Sequence, residues 1–164
     1  MAHGDLPLEA DGRALVAVFA SPVAGHLLHF GHEAGFRTVL IEPDEARRAA
    51  VRGPHPVVAS VADGALGPQT DVVFTDHDRT ELGALLAAVL AHPARWVGVM
   101  GSPRHTAPHV AALRGRGLPE ADIARVHRPI GLNIGSKSPA EIAIATLAGL
   151  IADRNSRPGG FTFG

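Results

Sequence analysis

The sequence contains no cysteine, so disulfide bonds, iron–sulfur clusters and thiolate zinc sites are excluded. It carries no large charge of either sign, since the formal net charge is −1. We therefore expect no nucleic-acid partner and no attraction to an anionic membrane, and any anion must be held by a local site. No apolar run approaches the ~20 residues of a membrane span. The start, Met1 to Asp5, lacks the basic and apolar regions of a signal peptide, so a cytoplasmic location is expected.

The 164 residues are 46% hydrophobic, enough for one folded domain with a sizeable core. Short apolar runs alternate with helical segments along the chain. The strands are expected at 15–19, 38–41, 56–61, 71–75 and 96–100, and the helices at 23–34, 44–51, 80–91, from Ser102 onward, 119–124 and 139–154. The strands are apolar throughout instead of alternating, which indicates burial on both faces. The pattern predicts an α/β fold: a doubly wound, mainly parallel Rossmann-like sheet with helices on both faces.

No change in composition marks a second domain. We expect an irregular lead-in at 1–13, a single domain at 14–154 and a flexible, glycine-rich tail at 155–164.

The segment 128–142 combines a glycine-rich loop with a strong helix start. Ser138 can cap the helix, Pro139 suits its first position, and Glu141 completes a capping box. Backbone N–H groups and one cation, Lys137, would then face a helix N-terminus, where anions are favoured. Gly131, Asn133, Gly135 and Lys137 are therefore candidate binding residues.

Ligands of such sheets bind beyond the carboxyl ends of the strands. The residues that follow the apolar runs supply the other candidates: Ala20, Ser21, Pro22, Glu42, Thr75, Asp76, His77, Asp78, Gly101, Ser102 and Arg104.

The first turn, Phe19 to Ala24, lacks the glycine fingerprint of dinucleotide sites, and Pro22 has no N–H to give a pyrophosphate. Two interpretations of Glu42 are open. It stands where a ribose-binding carboxylate belongs, but it could also be a solvated acid at the end of a strand. Ser102 and Arg104 form either an anion clamp or a plain turn and cap.

Asp76, His77 and Asp78 form the one dense ionisable cluster at a strand end. The carboxylates could orient the imidazole, raise its pKa or hold a hard cation, whereas Asp78 could simply cap the next helix. His105 and His109 have no third ligand nearby in the sequence, and His26, His29 and His32 drift around the first helix instead of forming a metal-binding face. We predict no metal site and no catalytic residue.

Three blocks of the sequence resemble the Rossmann domain of the XdhC/CoxI family: Thr75 to Asp78, Trp96 to Arg104, and Arg128 through Ala143. The resemblance covers about residues 14–154. It implies an accessory protein that binds, protects and helps to deliver molybdenum cofactor (molybdopterin) to a molybdenum hydroxylase such as xanthine or carbon monoxide dehydrogenase. Under this hypothesis Ser102, Arg104, Lys137 and the loop amides hold phosphate and pterin, and His77 and Asp78 lie near the metal end.

The chain departs from the family pattern at three points. Phe19 to Pro22 replaces a glycine-rich turn with a histidine, Asn133 replaces an aspartate, and the family's N-terminal domain is not in this sequence.

The sequence leaves two other functions open. One is an NAD(P)-linked oxidoreductase in which Glu42 binds ribose and His77 or Lys137 moves a proton. The other is a cofactor-free interaction module. A homodimer is also plausible, because the apolar helices at 80–91 and 139–152 could pair.

Overall fold

The computed structural model describes residues 12–101 and 107–163. Six strands form a parallel sheet in the order β3-β2-β1-β4-β5-β6, which is the doubly wound order of a Rossmann fold and confirms the predicted fold class. The strands are β1 (Ala14–Val18), β2 (Arg37–Ile41), β3 (Val57–Val58), β4 (Thr70–Phe74), β5 (Trp96–Val99) and β6 (Val126–His127). The helices are α1 (Pro22–Glu33), α2 (Glu45–Ala50), α3 (Leu82–Leu90), α4 (Pro108–Gly115), α5 (Glu120–Ile123) and α6 (Pro139–Arg154).

The sheet separates two apolar layers, as the uninterrupted apolar strands predict. Leu15 and Ala17 of β1 face α1 and α6, whose Leu27 and Leu147 belong to the same buried cluster. The alternate residues of β1 face the other layer, which α3, α4 and α5 cover. Each full burial of a Leu or Val side chain contributes roughly 1.5–3 kcal/mol, so both layers stabilise the fold.

The ends of several elements differ from their predicted positions. β3 is only two residues long, and β6 was not predicted at all. The expectation that Asp78 caps a helix is wrong, because α3 begins at Leu82 and Glu81 occupies the cap position without a side-chain cap bond. Among the described residues the helix after β5 begins at Pro108; Ser102, Arg104 and His105 lie outside the described residues.

The apolar faces proposed for a homodimer are already covered within the protomer. α3 buries Leu82, Leu86 and Val89 in the core, and α6 packs along α1. Ile144 of α6 is exposed, and the homodimer stays a prediction. In the part of the chain that the structure describes, no helix has the length and apolar character needed to cross a bilayer.

Candidate functional site: a cleft beside the switch point

A cleft of about 760 Å³ opens at the carboxyl ends of β4 and β5. It lies between these ends, the loop 129–136 and the first turns of α6. Its lining contains both polar and apolar residues: Val23, Thr75, His77, Met100, Gly101, Pro129, Ile130, Gly131, Leu132, Asn133, Ile134, Gly135, Ser136, Ile142, Ala145 and Thr146. The volume falls within the roughly 300–1,000 Å³ of small-molecule sites.

The loop 129–136 is fixed against α6 by its backbone. The Leu132 N–H donates to the Ala145 carbonyl at 3.0 Å, and the Gly131 Cα lies 3.5 Å from where a Cβ on Gly149 would stand. Gly131 has φ of +87°, and a Cβ there would lie 3.3 Å from the backbone of Ala145 and Thr146. Glycine is therefore required at 131 both for its left-handed conformation and for the close approach.

Several backbone donors of this loop are available to a ligand. Among the residues that the structure describes, the N–H groups of Asn133, Gly135 and Ser136 donate to no protein acceptor. All three residues line the cleft, whereas the Ile134 N–H is used by the Leu132 carbonyl at 3.0 Å. Free amides on three residues of one loop suit an anion or the carbonyl edge of a ring.

The N-terminus of α6 is capped by the protein itself. The predicted capping box is present: the Ser138 Oγ accepts from the Glu141 N–H, and the Glu141 carboxylate accepts from the N–H groups of Lys137 and Ser138. These bonds lower the pKa of the Glu141 carboxyl. The donors available to a ligand are therefore the amides of Asn133, Gly135 and Ser136, upstream of the helix start.

Asp76 and His77 stand at the rim, directly after β4. One ligand atom each from Asp76, His77 and Asp78 lies within 4.8 Å of the others, and the His77 Nε2 is 3.5 Å from the Asp78 Oδ1. The Asp76 carboxylate accepts from the Asp78 N–H at 2.8 Å. Of the three, His77 lines the cleft. The cluster thus places the His77 imidazole at the cleft wall, with the Asp78 carboxylate next to its Nε2 atom.

The first turn is closed by side chains from two other segments. The Ala20 N–H donates to the Glu42 Oε1 at 3.0 Å, and the Ser21 hydroxyl donates to the Thr75 hydroxyl at 3.0 Å. The Thr75 hydroxyl in turn donates to the Phe19 carbonyl at 2.8 Å. These bonds tie the end of β1 to the ends of β2 and β4 across the point where the strand order reverses.

Glu42 is fully buried and holds Arg79 in a bidentate ion pair. The two nitrogen–oxygen distances are 2.9 and 2.8 Å, and the Arg79 guanidinium also stacks over the Phe19 ring at 4.4 Å. Burial raises the pKa of the Glu42 carboxyl, but hydrogen bonds from Arg79, Asp44 and Ala20 outweigh it, and the pKa is lowered overall. The same pairing raises the pKa of Arg79.

Phe19 occupies the position where a dinucleotide fold carries its first glycine. Its φ of +78° lies in the left-handed region that L side chains rarely adopt. The turn thus keeps the backbone conformation that a glycine would supply, while the aromatic ring fills the space between Arg79 and Phe74. A ribose contact by Glu42 would require the Arg79 pair to open.

The predicted site residues therefore do not all lie in the cleft, and Asp76 and Asp78 stand beside it, next to His77. The structure brings six of them together as cleft lining: Thr75, His77, Gly101, Gly131, Asn133 and Gly135. Ala20, Ser21 and Glu42 take part in the closed first turn, Pro22 begins α1, and Lys137 is exposed beside the capping box. Ser102 and Arg104 lie outside the described residues. Roles in ligand binding stay predictions for all of them.

The apolar wall of the cleft was missed in the sequence. Val23, Met100, Ile130 and Ile142 are apolar like the core residues, and nothing in their sequence marks them as cleft lining. Ser136 also lines the cleft, and its place in the glycine-rich loop was the signal that could have identified it.

Similar proteins agree with this fold. A structure from Bacillus halodurans described as a xanthine dehydrogenase superposes with a TM-score of 0.70 at 22% identity, over 92% of this chain and 45% of that one, and shares the fold. The uncharacterized protein YqeB of Escherichia coli K12 is 37% identical over 89 residues. That segment is 54% of this chain and 16% of YqeB, so the chain spans less than half of either relative. Residues 15–150 match the family described as the XdhC Rossmann domain. The chain therefore belongs to the XdhC Rossmann-domain family.

Proposed function

We propose that this chain is an accessory protein that binds molybdenum cofactor and assists its insertion into a molybdenum hydroxylase of the xanthine or carbon monoxide dehydrogenase type. Family membership supports a role in the maturation of such enzymes. The observation that carries the proposal is the cleft, whose lining combines loop residues that have free amides with apolar side chains.

The residues present fit a pterin-type ligand. A flat ring system would lie against Ile130 and Ile142, and its polar edge would receive hydrogen bonds from the N–H groups of Asn133, Gly135 and Ser136. Ligand sites commonly combine such apolar walls with a few polar groups that fix orientation. His77 at the rim would lie near the metal end. The cofactor's own reactivity belongs to the hydroxylase, and the role of this chain is to hold and shield it.

The closed first turn counts against an NAD(P)-linked oxidoreductase. The Ala20 amide and the Glu42 carboxylate, which a dinucleotide would need, are bonded to each other, and Arg79 covers them. The size and mixed lining of the cleft likewise favour a cofactor-binding role over a cofactor-free interaction module.

The test is retention of isolated molybdenum cofactor by the purified chain after anaerobic gel filtration, with molybdenum and pterin measured in the protein peak. Ile142→Trp fills the cleft and is expected to weaken retention at least about tenfold, or ~1.4 kcal/mol. Ile144→Trp, on the exposed side of the same helix, is the matched control and should retain cofactor as the unmodified chain does.

Equal retention by the two variants would contradict the proposed site. Absence of retention by the unmodified chain, together with capture of a hydroxylase from cofactor-free extract, would favour an interaction module instead.

A further inference from the structure

The chain after α6 leaves the helix through a turn that its backbone fixes. The Arg157 N–H donates to the Ala152 carbonyl at 2.8 Å, and the Ser156 N–H donates to the Asp153 carbonyl at 3.1 Å. Ser156 itself has φ of +54°, in the left-handed region. Two such bonds around a left-handed residue form the Schellman ending of a helix, so the direction of the following residues is set by hydrogen bonds.

Gly159 shows where the segment after this turn lies. A Cβ on this glycine would stand 3.0 Å from the Leu132 Cδ2 atom and 3.5 Å from the Ala152 Cβ. The segment therefore passes beside α6 and against Leu132, which also lines the cleft. Since Ala152 precedes the helix end, the chain has turned back toward the end of α6 that borders the cleft.

The next residues are long enough in extended form to reach the cleft. Ala152 follows Ala145, a cleft residue, by seven positions, which is roughly 10 Å along a helix that rises ~1.5 Å per residue. Phe161 and Phe163 follow Gly159 by two and four positions, and an extended chain spans up to roughly 7 and 14 Å over these lengths. Both rings are therefore within reach of the cleft without any change in α6.

Phe161 and Phe163 are the most exposed large apolar side chains of the described residues, at 100% and 92%. The others are Ile134, which lines the cleft, and Ile144 of α6. In an extended segment, side chains two positions apart point to the same side, so both rings can face the cleft together. Exposed apolar groups gathered beside one cleft mark a surface that becomes covered in use.

We propose that Phe161 and Phe163 close over the cleft when a ligand with a flat ring system is bound, and that they form the outer wall of its site. Ile130 and Ile142 supply the inner wall, so both faces of the ligand ring become enclosed. Aromatic side chains pack on flat rings in offset or edge-on arrangements. The inference rests on the proposed function, because it takes the cleft as the ligand site, and it adds the residues that shield the ligand from water.

The rate at which the chain releases molybdenum cofactor tests this role. The chain is loaded anaerobically, diluted and filtered at timed intervals, and molybdenum and pterin are measured in the protein fraction. The double variant Phe161→Ala with Phe163→Ala should release cofactor at least about tenfold faster, because loss of a covering wall acts mainly on dissociation. Because both rings are exposed in the free chain, the double variant should keep the urea midpoint of the unmodified chain.

Two control variants separate the rings from their surroundings. Thr162→Ala changes the same segment between the two rings, and Ile144→Ala removes an exposed apolar side chain that is not part of the described cleft lining. Both should release cofactor within about twofold of the unmodified rate. Equally fast release by the double variant and by either control would overturn the inference.

Fluorine NMR of the chain labelled with fluorophenylalanine locates the rings directly. Phe161→Leu and Phe163→Leu assign the two resonances, which in the free chain should lie at the position of a solvent-exposed ring. Saturation with molybdenum cofactor should shift both, while the resonance of the buried Phe36, at the amino end of β2, stays unchanged. Rings that keep their free resonance positions at saturation overturn the inference.

The outcomes distinguish this inference from the proposed function. Equal release by the double variant and the unmodified chain removes the inference alone, whereas absence of cofactor retention by the unmodified chain removes the proposed function and the inference with it. Normal release by a double variant that no longer captures a molybdenum hydroxylase would assign the rings to a partner protein. Fluorine shifts that depend on protein concentration without cofactor would assign them to a second copy of this chain, and either result overturns the inference.

Discussion

The Arg79 guanidinium spans the Glu42 carboxylate with two hydrogen bonds, of 2.9 and 2.8 Å, from a position 37 residues further along the chain. Glu42 has no exposed surface and the Arg79 side chain is 8% exposed, so the pair is shielded from water. It occupies the carboxyl ends of β1 and β2, where a dinucleotide fold normally holds its ligand, whereas the cleft next to β4 and β5 stays open.

Removing one partner of this pair should be strongly destabilising. Arg79→Met leaves a buried, uncompensated carboxylate, and we expect a loss of about 3–5 kcal/mol in the free energy of unfolding, measured in urea. The double variant Glu42→Gln with Arg79→Met should recover part of that loss, because no charge remains buried. Arg114→Met, which breaks an exposed pair, is the control and should change stability little. A small effect of Arg79→Met would show that this ion pair does not stabilise the closed first turn.

Acid should weaken the fold through the same cluster. Hydrogen bonds from Arg79 and Thr80 lower the pKa of Glu81 from 4.5 to about 2, and the pKa of Glu42 is lowered as well. A carboxyl whose pKa is lower in the folded state stabilises the fold above its unfolded pKa, and that stabilisation is lost as the pH falls through the folded value. The urea midpoint should therefore decline between about pH 4.5 and 2, and more gently in Glu81→Gln. If the urea midpoint of Glu81→Gln declines as steeply with acid as that of the unmodified chain, Glu81 is not the group responsible.

The left-handed backbone of Phe19 should make its glycine variant more stable than its alanine variant, which is the reverse of the usual order. Phe19→Ala and Phe19→Gly lose the same ring contacts with Arg79 and Phe74, but only glycine relieves the φ of +78°. Phe19→Gly should therefore be more stable than Phe19→Ala by about 1–2 kcal/mol in thermal or urea unfolding. The ordinary order, with alanine the more stable, would show that the turn relaxes when the ring is removed.

The contact of the loop with α6 can be tested at two glycines with similar backbone angles. Gly131→Ala places a Cβ 3.3 Å from the α6 backbone at φ of +87°, whereas Gly135→Ala, at +73°, meets open space. Both should lose roughly 1–2 kcal/mol to left-handed strain. Gly131→Ala should lose more and should also weaken ligand binding, because the loop must move away from α6. Equal stability of the two variants would mean that the loop does not depend on this contact.

Features encoded locally could be predicted from the sequence. The α6 helix was predicted at its observed limits because Ser138, Pro139 and Glu141 are a complete start signal within four positions. The parallel sheet followed from strands that are apolar on both faces. The two-residue strand β6 was missed because Val126 and His127 are too short a run to stand out, and they pair only where β5 already presents an edge.

The site could be predicted only in part. Thr75, His77 and Gly101 follow strand ends, and topology alone brings such positions to one rim. The partnership of Glu42 with Arg79 depends on how the loop before α3 folds back over β2, which no short-range pattern encodes.

Backbone amide NMR during an anaerobic titration with molybdenum cofactor locates the ligand residue by residue. For a ligand in the cleft we expect saturable shifts of the Asn133, Gly135 and Ser136 amides, with the Ala20 amide unchanged because Glu42 already holds it. Shifts centred on Ala20 and Ser21, with the loop amides unaffected, would contradict binding in the cleft.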